Sequence, residues 1–230
     1  MTDGSLVTAL GVGFLLGLRH ALDADHVAAV STFLSRDRGL YRSCVLGTFW
    51  GIGHTAALLV AALATIVLRL RIPPHVGRVM EVLVALVVIA LGANVLLRAV
   101  GGVRIHRHPH THGDATHHHL HLHVGGTATH THAHLVREGR RPLLVGALHG
   151  LAGSGALLLL VLATMPSALA ALLYVAVFGV GSTLGMLLVS GLIGIPFAAS
   201  RSSKWMRVVL QLGIGAASVG VGTAMLLALA

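Results

Sequence analysis

The chain has 230 residues, of which 55% are hydrophobic and only 10% charged, with a mean hydropathy of +0.87. Soluble domains carry about 25% charged residues, so this composition excludes an ordinary soluble globule and requires most of the surface to face lipid. The formal charge of +9 is distributed as an orientation signal rather than as a nucleic-acid footprint, and the lone Cys44 excludes an internal disulfide or a multi-cysteine metal site within one chain.

Apolar stretches able to cross a bilayer, at about 20 residues each, run over Leu6–Leu34, Cys44–Leu68, Val79–Val100, Leu143–Met165, Ala168–Ala199 and Trp205–Ala230. They predict an all-α, polytopic membrane protein with six transmembrane helices, multi-pass in the cell (inner) membrane. The N-terminus lacks a basic region and an obvious cleavage site, so the first span is expected to be retained rather than removed as a signal peptide. The connections after spans one, three and five hold Arg36, Arg38, Arg42, Arg98, Arg104, Arg107, Arg137, Arg140, Arg141, Arg201, Lys204 and Arg207. The opposite side has only Arg69, Arg71 and Arg78. By the positive-inside rule the odd connections are cytoplasmic and both termini lie outside.

The first span is the unusual one. Arg19, His20, Asp23, Asp25 and His26 sit inside its apolar run, where ionisable groups are costly and by default mark a site. At about 100° per residue, His20, Asp23 and His26 share one stripe, while Asp25 points almost the opposite way. A straight helix cannot aim all four groups at one ion. Either the helix is broken near Ala21–Ala24, as carrier helices often are at their sites, or Asp25 meets a different helix. Arg19 and Asp23, four apart, can also simply neutralise each other.

Span two carries His54 at a depth comparable to His20 if the two helices run antiparallel, and Pro73-Pro74 ends it. Small-residue pairs at Gly13/Gly17, Gly47/Gly51 and Gly181/Gly185 predict close helix approach. Spans three and six, with few polar groups (Glu81, Asn94, Gln211), read as scaffold. His149 lies near the start of span four. Alone, a helical histidine is more often a hydrogen-bonded packing residue than a ligand, and the membrane setting weighs against that reading.

Between Val100 and Arg141 lie twelve of the seventeen histidines, including His106, His108, His110 and His112, then His117, His118, His119, His121 and His123, then His130, His132 and His134. With little to bury, this segment is expected to be disordered without metal. It reads either as a solvated linker or as a cytoplasmic collector of metal, with His117, His118, His119, His121 and His123 as auxiliary ligands.

The two halves repeat. Leu16-Gly17-Leu18-Arg19-His20-Ala21-Leu22 matches Val145-Gly146-Ala147-Leu148-His149-Gly150-Leu151 at a shift of 129, and Gly53-His54-Thr55 falls on Gly181-Ser182-Thr183 at 128. Three spans per half is an odd number, so the halves run in opposite orientations, as two inverted three-helix repeats with a site where they meet. The expected organisation is a first repeat over 1–100, a His-rich loop over 101–141 and a second repeat over 142–230. The ligand types are concentrated in the first half, because Asp25, His26 and His54 correspond to Ser154, Gly155 and Ser182.

Imidazole and carboxylate without thiolate suit borderline divalent ions such as Ni²⁺, Co²⁺ or Zn²⁺, among which raw affinity discriminates poorly. The candidate ligands are His20, Asp25, His26 and His54, with Asp23, Arg19 and His149 beside them. No permanent cofactor is implied, since the ion is cargo. A di-iron enzyme would need several His-rich boxes at one cytoplasmic face, whereas these histidines lie inside spans and in one loop. A non-transporting membrane module that binds and delivers the metal is the closer rival to a carrier.

Arg19-His20-Ala21-Leu22-Asp23-Ala24-Asp25-His26-Val27 resembles the signature of the nickel/cobalt transporter (NiCoT) superfamily, a His, four residues, then Asp-His in a transmembrane helix. Phe49-Trp50-Gly51-Ile52-Gly53-His54-Thr55 resembles its second motif. The later acidic motif is absent, the region reading His149-Gly150-Leu151-Ala152-Gly153-Ser154-Gly155, and Gly185-Met186 leads to Ser190 instead of Asp. Those departures and the His-rich loop are similar to the small urease-accessory and nickel/cobalt-efflux branches. The resemblance implies transport of Ni²⁺ or Co²⁺ and partnership with urease or hydrogenase maturation proteins.

Overall fold

In lipid every backbone N–H and C=O must be paired within the segment that carries it, and the apolar stretches accordingly fold as helices. The computed structural model describes residues 3–35, 39–69, 73–101, 103–112, 115–124 and 135–230. In chain order these form α1 (Asp3–His20), α2 (Ala24–Leu34), α3 (Leu40–Ala62, running on into a π turn at Leu63–Val67), α4 (Pro74–Gly101), β1 (Val103–His112), β2 (Ala115–Val124), α5 (Leu135–Thr164), α6 (Ala168–Ala199) and α7 (Lys204–Leu229). The side chains of Ser167 and Ser203 cap α6 and α7 by accepting from the backbone N–H of Ala170 and Met206, each at 3.2 Å.

Four helical stretches among the described residues are long and apolar enough to span: Leu40–Val67, His75–Val100, Ala168–Ala199 and Lys204–Leu229. A fifth arises if α1 and α2, bent by 55° at their junction, are one broken span. The expected six is thus met at four to five. α5 differs from the others in its first turns, which carry Arg137, Glu138, Arg140 and Arg141.

The His-rich segment departs from expectation. Its described backbone is an antiparallel hairpin that pairs His106 with His121, His108 with His119 and His110 with His117. His-x-His-x-His has the two-residue period of a strand, a signal that reading the segment by composition alone overlooks. His130, His132 and His134, like Arg36, Arg38 and Arg71, lie outside the described residues.

The break between α1 and α2 is local and well bonded. The N–H groups of Leu22 and Asp23 donate to the carbonyls of Arg19 and His20 at 2.9 and 3.1 Å, the tight spacing of a 3₁₀ turn. Asp23 is then extended (φ −60°, ψ 142°) and starts α2. Both alternatives open in the sequence are realised: the helix is broken, and Asp25 also faces His149 of α5 at 3.7 Å. The Arg19–Asp23 pairing presumed a continuous helix. With the helix broken, Asp23 bonds to His20 instead, and Arg19 is exposed on the turn before it.

Helix packing follows the small residues, since apolar side chains gain little by leaving lipid and backbones must approach closely to gain dispersion contacts. These contacts come in reciprocal pairs. Gly17 of α1 lies on the carbonyl of Phe178 in α6, and Gly146 of α5 on the carbonyl of Trp50 in α3. Gly181 lies on the carbonyl of Phe14, and Gly53 on that of Leu143; Gly51 meets Thr183, and Gly179 meets Thr55. Each contact becomes its partner when one residue moves forward by 128 or 129 and the other back by 128. The Oγ1 atoms of Thr55 and Thr183, equivalent at 128, meet at 3.0 Å.

Two buried apolar clusters flank α3. One includes Leu34, Trp50, Val84, Val88 and Met186, the other Leu58, Val161, Tyr174, Val175 and Phe178. His54 lies one turn from both Trp50 and Leu58, where the clusters adjoin.

Candidate metal site

The broken span sets the site. His20 ends α1, Asp23 leads into α2, and Asp25 and His26 stand in the first turn of α2, where the unpaired N–H groups of a helix start favour negative charge. His54 reaches the same place from the middle of α3. Each of His20, His26 and His54 offers one nitrogen, and these nitrogens lie within 4.8 Å of one another. The ring centroids are 4.5 Å apart for His20 and His26, 5.2 Å for His20 and His54, and 5.1 Å for His26 and His54.

Hydrogen bonds assign the free nitrogen of two of these rings. His20 Nδ1 lies 2.7 Å from Asp23 Oδ2, and His26 Nδ1 lies 3.0 Å from Asp25 Oδ1. A carboxylate only accepts, so each Nδ1 carries the proton and each Nε2 keeps its lone pair. This is the arrangement by which a carboxylate orients a metal-binding imidazole and raises its basicity. His26 Nε2 and both nitrogens of His54 are buried and lack a hydrogen-bond partner among the described residues. Leaving such atoms unpaired costs about 1–3 kcal/mol each, and several converging lone pairs suit a cation. With metal–nitrogen bonds of about 2.1 Å, the three nitrogens would sit about 3.0–3.4 Å apart. Side-chain rotations that bring them about 1.5 Å closer would therefore complete the seat.

The other candidates fall around this group. Asp25 bridges outward, its Oδ2 lying 3.7 Å from Nε2 of His149. His149 is 2% exposed, with its ring centroid 5.1 Å from His26 and 4.9 Å from Trp50. Of the loop candidates, His117, His118, His119, His121 and His123 fall on β2, apart from this group in the chain. Two aromatic residues outside the candidate set wall the site: Phe178, 5.4 Å from His20, and Trp50, 6.5 Å from His26. The signal for them was present, because Trp50 stands in the aromatic run before His54 and Phe178 is its equivalent at a shift of 128.

The family model described as NicO, high-affinity nickel-transport protein, matches residues 6–230. The chain belongs to the NicO family. Similar proteins include the "Urease accessory protein UreH" of Bacillus sp. (strain TB-90), 37% identical over 200 residues that cover 87% of this chain and 82% of UreH. The "Hydrogenase nickel incorporation protein HupN" of Bradyrhizobium diazoefficiens is 32% identical over 99 residues, 42% of this chain and 20% of HupN. No solved structure is significantly similar. NicO membership points to a nickel transporter rather than an enzyme, and it agrees with a partly buried cluster of imidazoles backed by carboxylates.

Proposed function

We propose that the chain carries Ni²⁺, with Co²⁺ as the near alternative, across the cell membrane as a six-span protein, and that His20, His26 and His54 are the seat of the ion. One observation carries this reading: three imidazoles, two of them oriented by carboxylates, converge at a break in an otherwise apolar span. Asp25 and Asp23 hold His26 and His20 in the binding tautomer and add negative potential for a dication. α5 supplies the sixth span. The reciprocal glycine contacts support two inverted repeats over 1–100 and 142–230, and the excess of arginine on odd connections supports external termini with the His-rich loop in the cytoplasm. In that place His117, His118, His119, His121 and His123 would gather metal near the inner mouth.

The names of the two relatives favour a second reading, a membrane protein that binds nickel and hands it to urease or hydrogenase maturation proteins without moving it across. Uptake of radioactive nickel by proteoliposomes holding the full chain separates the two. Flux that is lost in His26→Ala while the variant still inserts is the expected result. Tight binding without flux would establish the delivery reading.

A further inference from the structure

His149 has more unmet chemistry than a packing residue. Its Nδ1 faces the Val145 carbonyl at 3.3 Å and so carries the proton, which leaves Nε2 as an acceptor. Nε2 is buried without a hydrogen-bond partner among the described residues, and a carboxylate oxygen, Asp25 Oδ2, lies 3.7 Å away. With Nε2 unprotonated, two acceptors face each other here, an arrangement that a cation between them would relieve.

The surroundings of His149 repeat those of His20. His20 stands beside Phe178, and His149 beside Trp50, at 5.4 and 4.9 Å. The histidines are equivalent at a shift of 129 and the aromatic residues at 128. His26 lies between them, 4.5 Å from the ring of His20 and 5.1 Å from that of His149. Gly146 and Gly150 let α5 press on the carbonyls of Trp50 and His54, which holds His149 against α3.

We propose that His149 Nε2 and Asp25 Oδ2 form a second seat for the same divalent cation, next to the first, with His26 shared between them. The ion passes from the His20 side of His26 to the His149 side, and so from one half of the molecule to the other. This rests on the transport reading above. Because one imidazole serves both seats, a single ion occupies them in turn.

The test uses the full chain, purified and reconstituted. His149→Ala should bind nickel within about threefold of wild type, because the first seat is intact, yet lose at least about tenfold of flux, the scale on which metal sites respond to loss of a supporting group. His149→Cys should gain a cadmium–thiolate absorbance beyond any that wild type shows through Cys44, and should carry Cd²⁺ better than Ni²⁺ because thiolate is the softer ligand. Wild-type nickel flux in His149→Ala would overturn the proposal. Loss of binding equal to that of His20→Ala, in protein that still elutes as wild type, would also overturn it by making His149 part of a single seat. If His149→Ala fails to fold, the cysteine variant decides, and absence of the cadmium–thiolate band rejects the second seat. Wild-type protein that binds nickel without flux defeats the transport reading instead, and the cadmium band still reports whether the second seat exists.

Discussion

Replacing Asp25 by Asn separates two things its carboxylate does. Asn keeps an oxygen that can accept from His26 Nδ1, now 3.0 Å away, so the tautomer of His26 survives and only the charge is lost. Through the imidazole ring the carboxylate oxygen lies about 7 Å from a metal on Nε2. At an effective dielectric constant of about 20, a single negative charge attracts a dication across that distance by about 5 kcal/mol. Relaxation and the partial exposure of Asp25 reduce this ceiling. Partners of metal-bound imidazoles are worth about 10–100-fold in affinity, or about 1.4–2.8 kcal/mol. Asp25→Asn should therefore weaken nickel binding by at least about tenfold, measured by isothermal titration on purified protein at fixed pH and ionic strength. Asp25→Ala, which removes both charge and acceptor, should weaken it further. Binding of nickel by Asp25→Asn within twofold of wild type would refute the electrostatic reasoning and leave Asp25 as an orienting group only.

Other outcomes follow from the same geometry. Nickel binding should fall as pH is lowered, since each imidazole must be neutral to donate its lone pair and protons compete for it; a titration that is flat under acidic conditions would contradict an imidazole seat. Gly53→Ala should lower the melting temperature in detergent, because its Cβ overlaps the Leu143 carbonyl, with overpacking costing about 1–3 kcal/mol. Gly220→Ala, with nothing within 4 Å, should leave that melting temperature unchanged. Deleting 104–134 should spare nickel flux in liposomes supplied with free ion yet alter metal sensitivity in cells, and unchanged sensitivity would make the segment a linker.

How far the sequence carried these conclusions depends on the range of each interaction. Helix positions were legible because a lipid-facing helix is apolar throughout, and the observed α6 has the bounds of its apolar stretch, Ala168–Ala199. The His20–His26 pair was legible because two imidazoles beside carboxylates in such a run have no comparable packing purpose, whereas Asp23 could also be read as a partner of Arg19. The break itself carried no local mark. Ala21-Leu22-Asp23-Ala24 has neither Gly nor Pro, and only the demand that Asp25 and His26 both face useful partners argued for it. His149 was undecided because its partner, Asp25, is on another helix and no periodicity connects them. The hairpin was written in the alternation of the histidines, but composition pointed the other way.

The scaffold and the ligands obey different symmetries, and that difference has a mechanical consequence. The backbone contacts exchange pairwise, Gly17 on Phe178 with Gly146 on Trp50 and Gly181 on Phe14 with Gly53 on Leu143, so neither half is packed more tightly than its counterpart at these crossings. If the halves are inverted repeats, as proposed, exchanging their equivalent contacts would give a second arrangement of similar energy, which a carrier that opens to each side in turn requires. The candidate ligands, by contrast, are lopsided. His26 and His54 have Gly155 and Ser182 as equivalents, and only His20 is matched, by His149. Full duplication would create two three-imidazole seats, each deep enough to retain its ion. In the proposed arrangement, one shared His26 with a matched histidine on either side would leave a strong seat and a weaker neighbour, so that release would cost less than from a second complete seat.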